Sequence, residues 1–169
     1  MEYQQLIHER FSVLEYEQRD VAPELVRAIL EAGLAAPTAC NFQPQRIKVI
    51  NDDASRAALS RVVPSRYYVP LAFLICFDRR ECWVRPMDGK ASGEIDAAIV
   101  TTHMMLQAAD LGLGSIWVMY WAPERMKQEF SVDENLEPVA LLIVGHMAPE
   151  AHPQKGHRTS KSIGEILIN

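Results

Sequence analysis

The sequence predicts a single α+β domain with about four core strands. Three observations carry that reading. Leu25, Val26, Ile29, Leu30 and Leu34 recur at helical spacing. Leu71 to Phe77 is a continuous apolar run, short enough for a strand buried on both faces. Glu94 to Leu111 is a long helical stretch that ends at Gly112, a natural terminator.

The elements follow in order. Glu2 to Glu9 predicts a short helix with Tyr3, Leu6 and Ile7 on one face, and Arg10 to Tyr16 is less regular. Pro23 and Glu24 suit a helix's first turn, one by its fixed φ, the other by its charge near the positive helix end. Arg46 to Ile50 alternates like a strand, and Asp52 or Asp53 caps a helix from Ala54 to Val63. Asp78 to Gly93 reads as a long polar loop of irregular structure, a kind often functional. On the helix from Glu94, the apolar side is expected to carry Ile95, Ile99, Leu106 and Ala109, with the Ala97-Ala98 and Ala108-Ala109 pairs allowing close helix approach. Gly114 to Tyr120 reads as a strand, with Trp117, Met119 and Tyr120 expected mostly in the core. Pro123 to Phe130 reads as a helix and Val139 to Gly145 as a buried strand. The tail from His146 is polar until Ile163, Ile166, Leu167 and Ile168.

Composition narrows the function classes. The 169 residues are 49% apolar and 23% charged, enough for one real core and incompatible with wholesale disorder. A net charge of −5 without a basic run argues against a nucleic-acid partner. No stretch approaches the ~20 apolar residues of a membrane helix, and Met1 to Gln5 lacks an export-signal pattern. Cys40, Cys76 and Cys82 form an odd set without Cys-x-x-Cys, which points to reduced thiols and a cytoplasmic location. Of these, Cys40 is expected to be a small buried residue. The histidines lack metal-ligand spacing, so no metal site is expected, and Ser115 lacks the Gly-x-Ser-x-Gly context of a hydrolase nucleophile.

The most informative segment is Ala36-Pro37-Thr38-Ala39-Cys40-Asn41-Phe42-Gln43-Pro44-Gln45. Pro37 and Pro44 fix their own φ and bias Ala36 and Gln43 toward extended backbone. Thr38, Asn41 and Gln43 are neutral groups, and the two amides both donate and accept, which suits a flat heterocycle with alternating N–H and C=O groups. An ordinary capped turn uses the same residue types.

Several segments, in order, resemble the nitroreductase family of small FMN enzymes. These are Ile7-His8-Glu9-Arg10-Phe11-Ser12-Val13-Leu14-Glu15-Tyr16, the Ala36 to Pro44 loop, Ala108-Ala109-Asp110-Leu111-Gly112-Leu113-Gly114-Ser115-Ile116-Trp117, and the closing Arg158 to Ile166 region. The resemblance covers almost the whole chain. It implies a mainly antiparallel sheet flanked by helices, a homodimer with FMN at its interface, and a C-terminal extension contacting the partner subunit.

The resemblance also implies site residues. Arg10, Phe11 and Ser12 would lie beside the phosphate and ribityl chain, where a guanidinium fork matches phosphate oxygens. Arg10 equally suits the C-terminus of the first helix. Pro37, Thr38, Asn41 and Gln43 would approach the flavin from the partner. Gly112, Leu113 and Gly114 would bring backbone N–H groups close, or simply stop a helix. Arg158 and then Lys161 are the tail's phosphate candidates. Phe11 and Leu14 stand where the family often has further basic residues. Arg85 or Lys90 is the candidate replacement, or else a solvated loop charge, and with Trp83 these would form part of a substrate-side wall.

The implied function is an FMN-dependent oxidoreductase. NADH or NADPH donates a hydride to flavin N5, and a small acceptor such as a nitroaromatic or quinone collects the electrons. No catalytic side chain is then required, because the cofactor carries the chemistry. Alternatives are a flavin-using relative with another acceptor, such as a dehalogenase or enone reductase, and a flavin-binding protein without turnover.

Overall fold

The computed structural model describes residues 2–63 and 68–168. Its elements are α1 (Tyr3–Glu9), α2 (Pro23–Leu34), β1 (Gln45–Ile50), α3 (Asp53–Val62), β2 (Leu71–Asp78), α4 (Gly93–Asp110), β3 (Gly114–Val118), α5 (Pro123–Phe130), β4 (Leu136–Gly145) and α6 (Ile163–Ile166). Four strands form one antiparallel sheet in the order β1-β2-β4-β3. The α+β expectation and the strand number both hold.

The sheet lies between two helical layers. On one face, Ala72, Leu74 and Cys76 of β2 and Leu141 and Ile143 of β4 pack with α3 and α5 residues such as Leu59, Val62, Met126 and Phe130. On the other, Leu71, Phe73, Ile75, Leu142 and Val144 pack with Ile29 of α2 and Val100 and Met104 of α4. Every residue of β2 is buried, as its unbroken apolar run predicts for a central strand covered on both faces. Asp52 caps α3 by accepting from the Ser55 N–H at 2.9 Å.

Some elements depart from the expectations. β4 begins at Leu136, three residues early; Pro138 masks the strand in the sequence, because proline cannot donate to a ladder. Structure tolerates it here: β4 has run beyond the end of β3, and the β2–β4 register skips a residue between Ile75 and Cys76. β3 stops at Val118, and Met119 and Tyr120 are exposed rather than core, because Trp121 folds back to donate its indole N–H to the Val118 carbonyl. The polar stretch after β2 is not irregular. Val84 bridges Ala91, the Arg85 N–H donates to the Lys90 carbonyl, and Ser92 N–H donates to Trp83, so it closes as a hairpin.

The buried stripe of α4 is Ala97, Val100, Thr101, Met104 and Ala108, not the expected Ile95, Ile99, Leu106 and Ala109. Helix α4 is apolar on much of its circumference, so the sequence offers two faces, and the one bearing Ala97, Val100, Met104 and Ala108 packs against α2 and the sheet, with Ile99 half-buried beside it. Ile95 is left 55% exposed. The tail beyond Ala151 is largely exposed, although α6 forms with Ser162 and Glu165 as a reciprocal cap.

Candidate active site

The first cluster gathers at the C-terminal end of α4. The segment after α1 runs extended along the edge of the sheet. Ser12 bridges Ser115 in parallel, the Val13 N–H donates to the Ser115 carbonyl at 3.0 Å, and the Tyr16 hydroxyl donates to the Val13 carbonyl at 2.9 Å. Gly114 permits this approach: a Cβ there would lie 2.6 Å from Met147 Cγ and 2.7 Å from Val13 Cγ2. Between this strap, α1 and the end of α4 is a cavity of roughly 170 Å³, whose walls include Arg10, Phe11, Val13, Leu113 and Ser115. Among the described residues, no hydrogen bond or ion pair engages the Arg10 guanidinium. Glu9 also borders the cavity, its carboxylate turned to the Gln5 amide at 3.0 Å. Ser12 is exposed and stands outside the cavity wall.

Gly112, Leu113 and Gly114 also border this cavity, but two of their N–H groups are taken up by the helix end. Gly112 N–H donates to Ala109 and Leu113 N–H to Ala108, with Gly112 at φ 76°, the pairing of a Schellman cap. The helix-stop role of Gly112 is therefore physical, and the segment shapes the cavity more than it offers free donors.

The second cluster is the proline-bracketed loop. Cys40, Asn41 and Gln43 all have positive φ, at 51°, 55° and 51°. Asn tolerates that region; the others are strained there by about 1–2 kcal/mol each. Gln43 therefore departs from the extended backbone its following proline favours. Its N–H donates to Thr38 Oγ1 at 3.1 Å and its amide Nε2 donates to Asn41 Oδ1 at 3.0 Å. These bonds hold the turn and present the amides at the surface; Asn41 and Gln43 are exposed, as is Pro37. Cys40 is exposed too, contrary to expectation, since the left-handed turn swings it outward. The loop is fixed from below by the Ala39 N–H, which donates to Asp96 Oδ1 at 2.9 Å.

The two clusters do not meet within one chain. The loop is tied to Asp96 in the first turn of α4, while the Arg10 cavity abuts Ala109 in its last turn. Thirteen residues of helix separate these positions by roughly 20 Å. Of the substrate-side candidates, Trp83 is half-buried at the hairpin base, Arg85 pairs with Asp88 at 2.5 Å, and Lys90 is exposed with its ammonium unpaired among the described residues. Arg158 and Lys161 are exposed on the tail. The tail does reach the first cluster through His157, whose ring meets Phe11 edge-on at 6.1 Å between centroids.

Sequence reasoning weighed His157 only as a metal ligand and set it aside, and it did not single out Asp96. No local signal marks His157, because its contact is with a residue nearly 150 positions away. Asp96 had a signal, a carboxylate beside an alanine pair in an apolar helix, but such a residue also reads as an ordinary favourable charge in a first turn.

The thiols differ sharply. Burial pushes Cys76 up to about 12, against some help from Lys127, whereas Cys40 faces solvent. At the end of β2, hydrogen bonds from the Arg80 guanidinium and N–H hold the Asp78 carboxyl down at about 2. Among the described residues no group of three or more His, Cys, Asp and Glu is placed to hold a metal, and no helix is long and apolar enough to cross a membrane.

The structure is an α+β domain, an antiparallel four-stranded sheet between helical layers with a cavity where the N-terminal strap meets the end of α4. A nitroreductase family protein of Clostridium difficile 630 superposes with a TM-score of 0.91 at 40% identity, over 99% of this chain and 98% of that one. A nitroreductase-type protein of Desulfovibrio desulfuricans, solved in complex with FMN, superposes with a TM-score of 0.80 at 25% identity, over 100% and 96% of the two chains. The sequence is 26% identical over 160 residues to a protein of Methanothermobacter thermautotrophicus named as an NADH dehydrogenase/NAD(P)H nitroreductase, covering 88% of this chain and 78% of that protein. The family model for the nitroreductase family matches residues 7–74 and 69–146. The chain belongs to the nitroreductase family, a family of oxidoreductases.

Proposed function

We propose that the protein is a homodimeric FMN-dependent oxidoreductase that draws electrons from NADH or NADPH and delivers them to a small acceptor such as a nitroaromatic or quinone. The observation that carries this reading is the division of the site between the two ends of α4. A cavity of roughly 170 Å³ is smaller than the ~300–1,000 Å³ of pockets that bury a whole ligand of this size. The amide-bearing loop that suits the flavin's heterocyclic edge sits at the far end of the helix. A two-fold axis across the uncovered face of α4 would run the two helices antiparallel and set each chain's loop beside its partner's cavity.

The residues present fit FMN. Arg10, whose guanidinium is unpaired among the described residues, stands at the cavity wall and suits phosphate oxygens. Phe11, Val13 and Leu113 give the cavity apolar walls, suited to a ring system. From the partner, Thr38, Asn41 and Gln43 would supply donors and acceptors to the ring's polar edge. Arg158 and Lys161 would add positive charge from the tail, which His157 brings to Phe11. FMN, when bound, supplies the hydride and electron chemistry; the chain binds it, orients it and sets its electrostatic surroundings. With Arg85 held by Asp88, Lys90 is the better source of the positive charge missing at Phe11 and Leu14. The names of the relatives, with NADH or NADPH as donor, support the electron source. A single domain across residues 1–169 and a cytoplasmic location complete the reading.

The test is spectroscopic. The purified protein should show a flavin spectrum, release a cofactor that co-elutes with FMN rather than FAD, and bleach anaerobically with NADH or NADPH. A colourless protein that takes up no added FMN contradicts the assignment. A flavin-loaded protein that never oxidises NAD(P)H in steady state is a binding protein instead.

A further inference from the structure

Asp96 is 2% exposed and is not among the residues that line the Arg10 cavity. Its two carboxylate oxygens are divided between two chain segments. Oδ1 accepts the Ala39 N–H from the proline-bracketed loop at 2.9 Å, and Oδ2 accepts the Ser92 hydroxyl at 2.7 Å. Ser92 closes the hairpin, since its N–H donates to the Trp83 carbonyl at 2.8 Å. One buried carboxylate therefore ties the amide loop to the base of the Trp83–Ser92 hairpin and both to the first turn of α4. A buried carboxylate is costly unless hydrogen-bonded, and here the two donors and the positive helix end satisfy it. Just beyond the bond, the backbone carries three non-glycine residues at positive φ. Strained conformations of this kind persist where the surroundings over-determine them. Ala39, the residue immediately before Cys40, is the point at which Asp96 does so.

Resting on the FMN reading above, we propose that Asp96 is a positioning residue for the flavin. It holds the Cys40–Gln43 turn in its strained form, so that Asn41 and Gln43 are presented in the geometry the cofactor needs, and it couples that turn to the hairpin bearing Trp83 and Lys90. It touches neither cofactor nor substrate. The side chain that replaces it need only accept the Ala39 N–H and bond Ser92. Asn does both, with its amide donating to the Ser92 oxygen. Leu does neither at similar volume.

The test compares wild type, Asp96→Asn, Asp96→Leu and Ser92→Ala by amide hydrogen exchange at Ala39 in the apo-protein, FMN affinity, and the visible circular dichroism of bound flavin. Asp96→Leu should accelerate Ala39 exchange, weaken FMN binding about tenfold or more, and alter the flavin dichroism. Asp96→Asn should restore all three to near wild type, which a role of buried charge alone would not allow. Ser92→Ala should accelerate Ala39 exchange to a smaller extent, and it decides the matter if Asp96→Leu does not fold. Unchanged Ala39 exchange in Ser92→Ala or Asp96→Leu overturns the proposal, as does Asp96→Asn behaving like Asp96→Leu. A wild-type protein that takes up no FMN contradicts the proposed function instead, while Ala39 exchange still reports whether the clamp exists.

Discussion

At the scale of single residues, Arg10 and the loop amides should make separable contributions to FMN binding. Arg10→Ala should weaken FMN binding by roughly 1.5–3 kcal/mol, the range for one charged hydrogen bond, as read by fluorescence titration of the apo-protein. Gln43→Ala should lower FMN affinity or shift the flavin potential while leaving apo melting nearly unchanged, because its side chain is exposed and bonds mainly to Asn41, and Asn41→Ala should do the same at an added cost of about 1 kcal/mol for alanine at positive φ. Equal loss of apo stability without a flavin effect would return the loop to the status of a structural turn. The thiols give an independent check. Cys40, exposed in the single chain but set beside the partner's cavity in the proposed dimer, should react with a thiol reagent faster once FMN is removed, while Cys76, held neutral with its value near 12, and buried Cys82 should react only on unfolding. Arg10, Phe11 and the amides were candidates in the sequence because their residue types fall in recognisable order along the chain; the structure puts the first two on one cavity wall and the amides on a surface loop. The exposure of Cys40 and the φ of Gln43 were not, because both follow from a left-handed turn held by Asp96, a residue more than fifty positions away.

Elements set the distances. Helix α4 separates the two clusters, closed at one end by the Asp96 contacts and at the other by the Gly112 cap. Gly114→Ala should push Val13 and Met147 apart, destabilise the fold by about 1–3 kcal/mol as overpacking does, and loosen the strap that forms the cavity; paired chemical denaturation and FMN titration would detect both. At the end of β2, Asp78 has a folded value near 2, below its ordinary 3.8. A depressed carboxyl adds stability above its unfolded value and loses it as pH falls through the folded one. Asp78 should thus contribute fully at neutral pH and progressively less between about pH 4 and 2, and Asp78→Asn should flatten that part of the acid stability profile. Most elements were legible because their periods are clean: α2, α5 and β2 match almost residue for residue. The hairpin after β2 was not, since its closure rests on backbone bonds and the Arg85–Asp88 pair, which leave no apolar alternation to read. The buried face of α4 was misjudged because an all-round apolar helix does not say which neighbour arrives first.

For the whole molecule, the exposed apolar surface and the divided site point the same way. Ile163, Ile166, Leu167 and Ile168 are between 62% and 99% exposed, and the uncovered side of α4 carries Ile95. Covering each tail side chain could contribute about 1.5–3 kcal/mol, opposed by the ordering of the tail backbone at roughly 1–2 kcal/mol per residue. Deleting Gly164 to Asn169 (the last of these lies outside the described residues) should shift the protein toward monomer and release FMN together, as read by light scattering and absorbance. A truncated protein that stays dimeric and yellow would show that the tail is not the clasp. The central claim, a site built from the Arg10 cavity of one chain and the amide loop of the other, is tested most directly by mixing two defective chains. One carries Arg10→Ala; the other carries Asn41→Ala and Gln43→Ala. Each homodimer should bind FMN weakly. In the mixed dimer one site receives both defects and the other receives none, so one FMN per dimer should bind with wild-type affinity. Uniformly weak binding in the mixed dimer, with no recovered site, would place both clusters in the same chain's site and contradict the account.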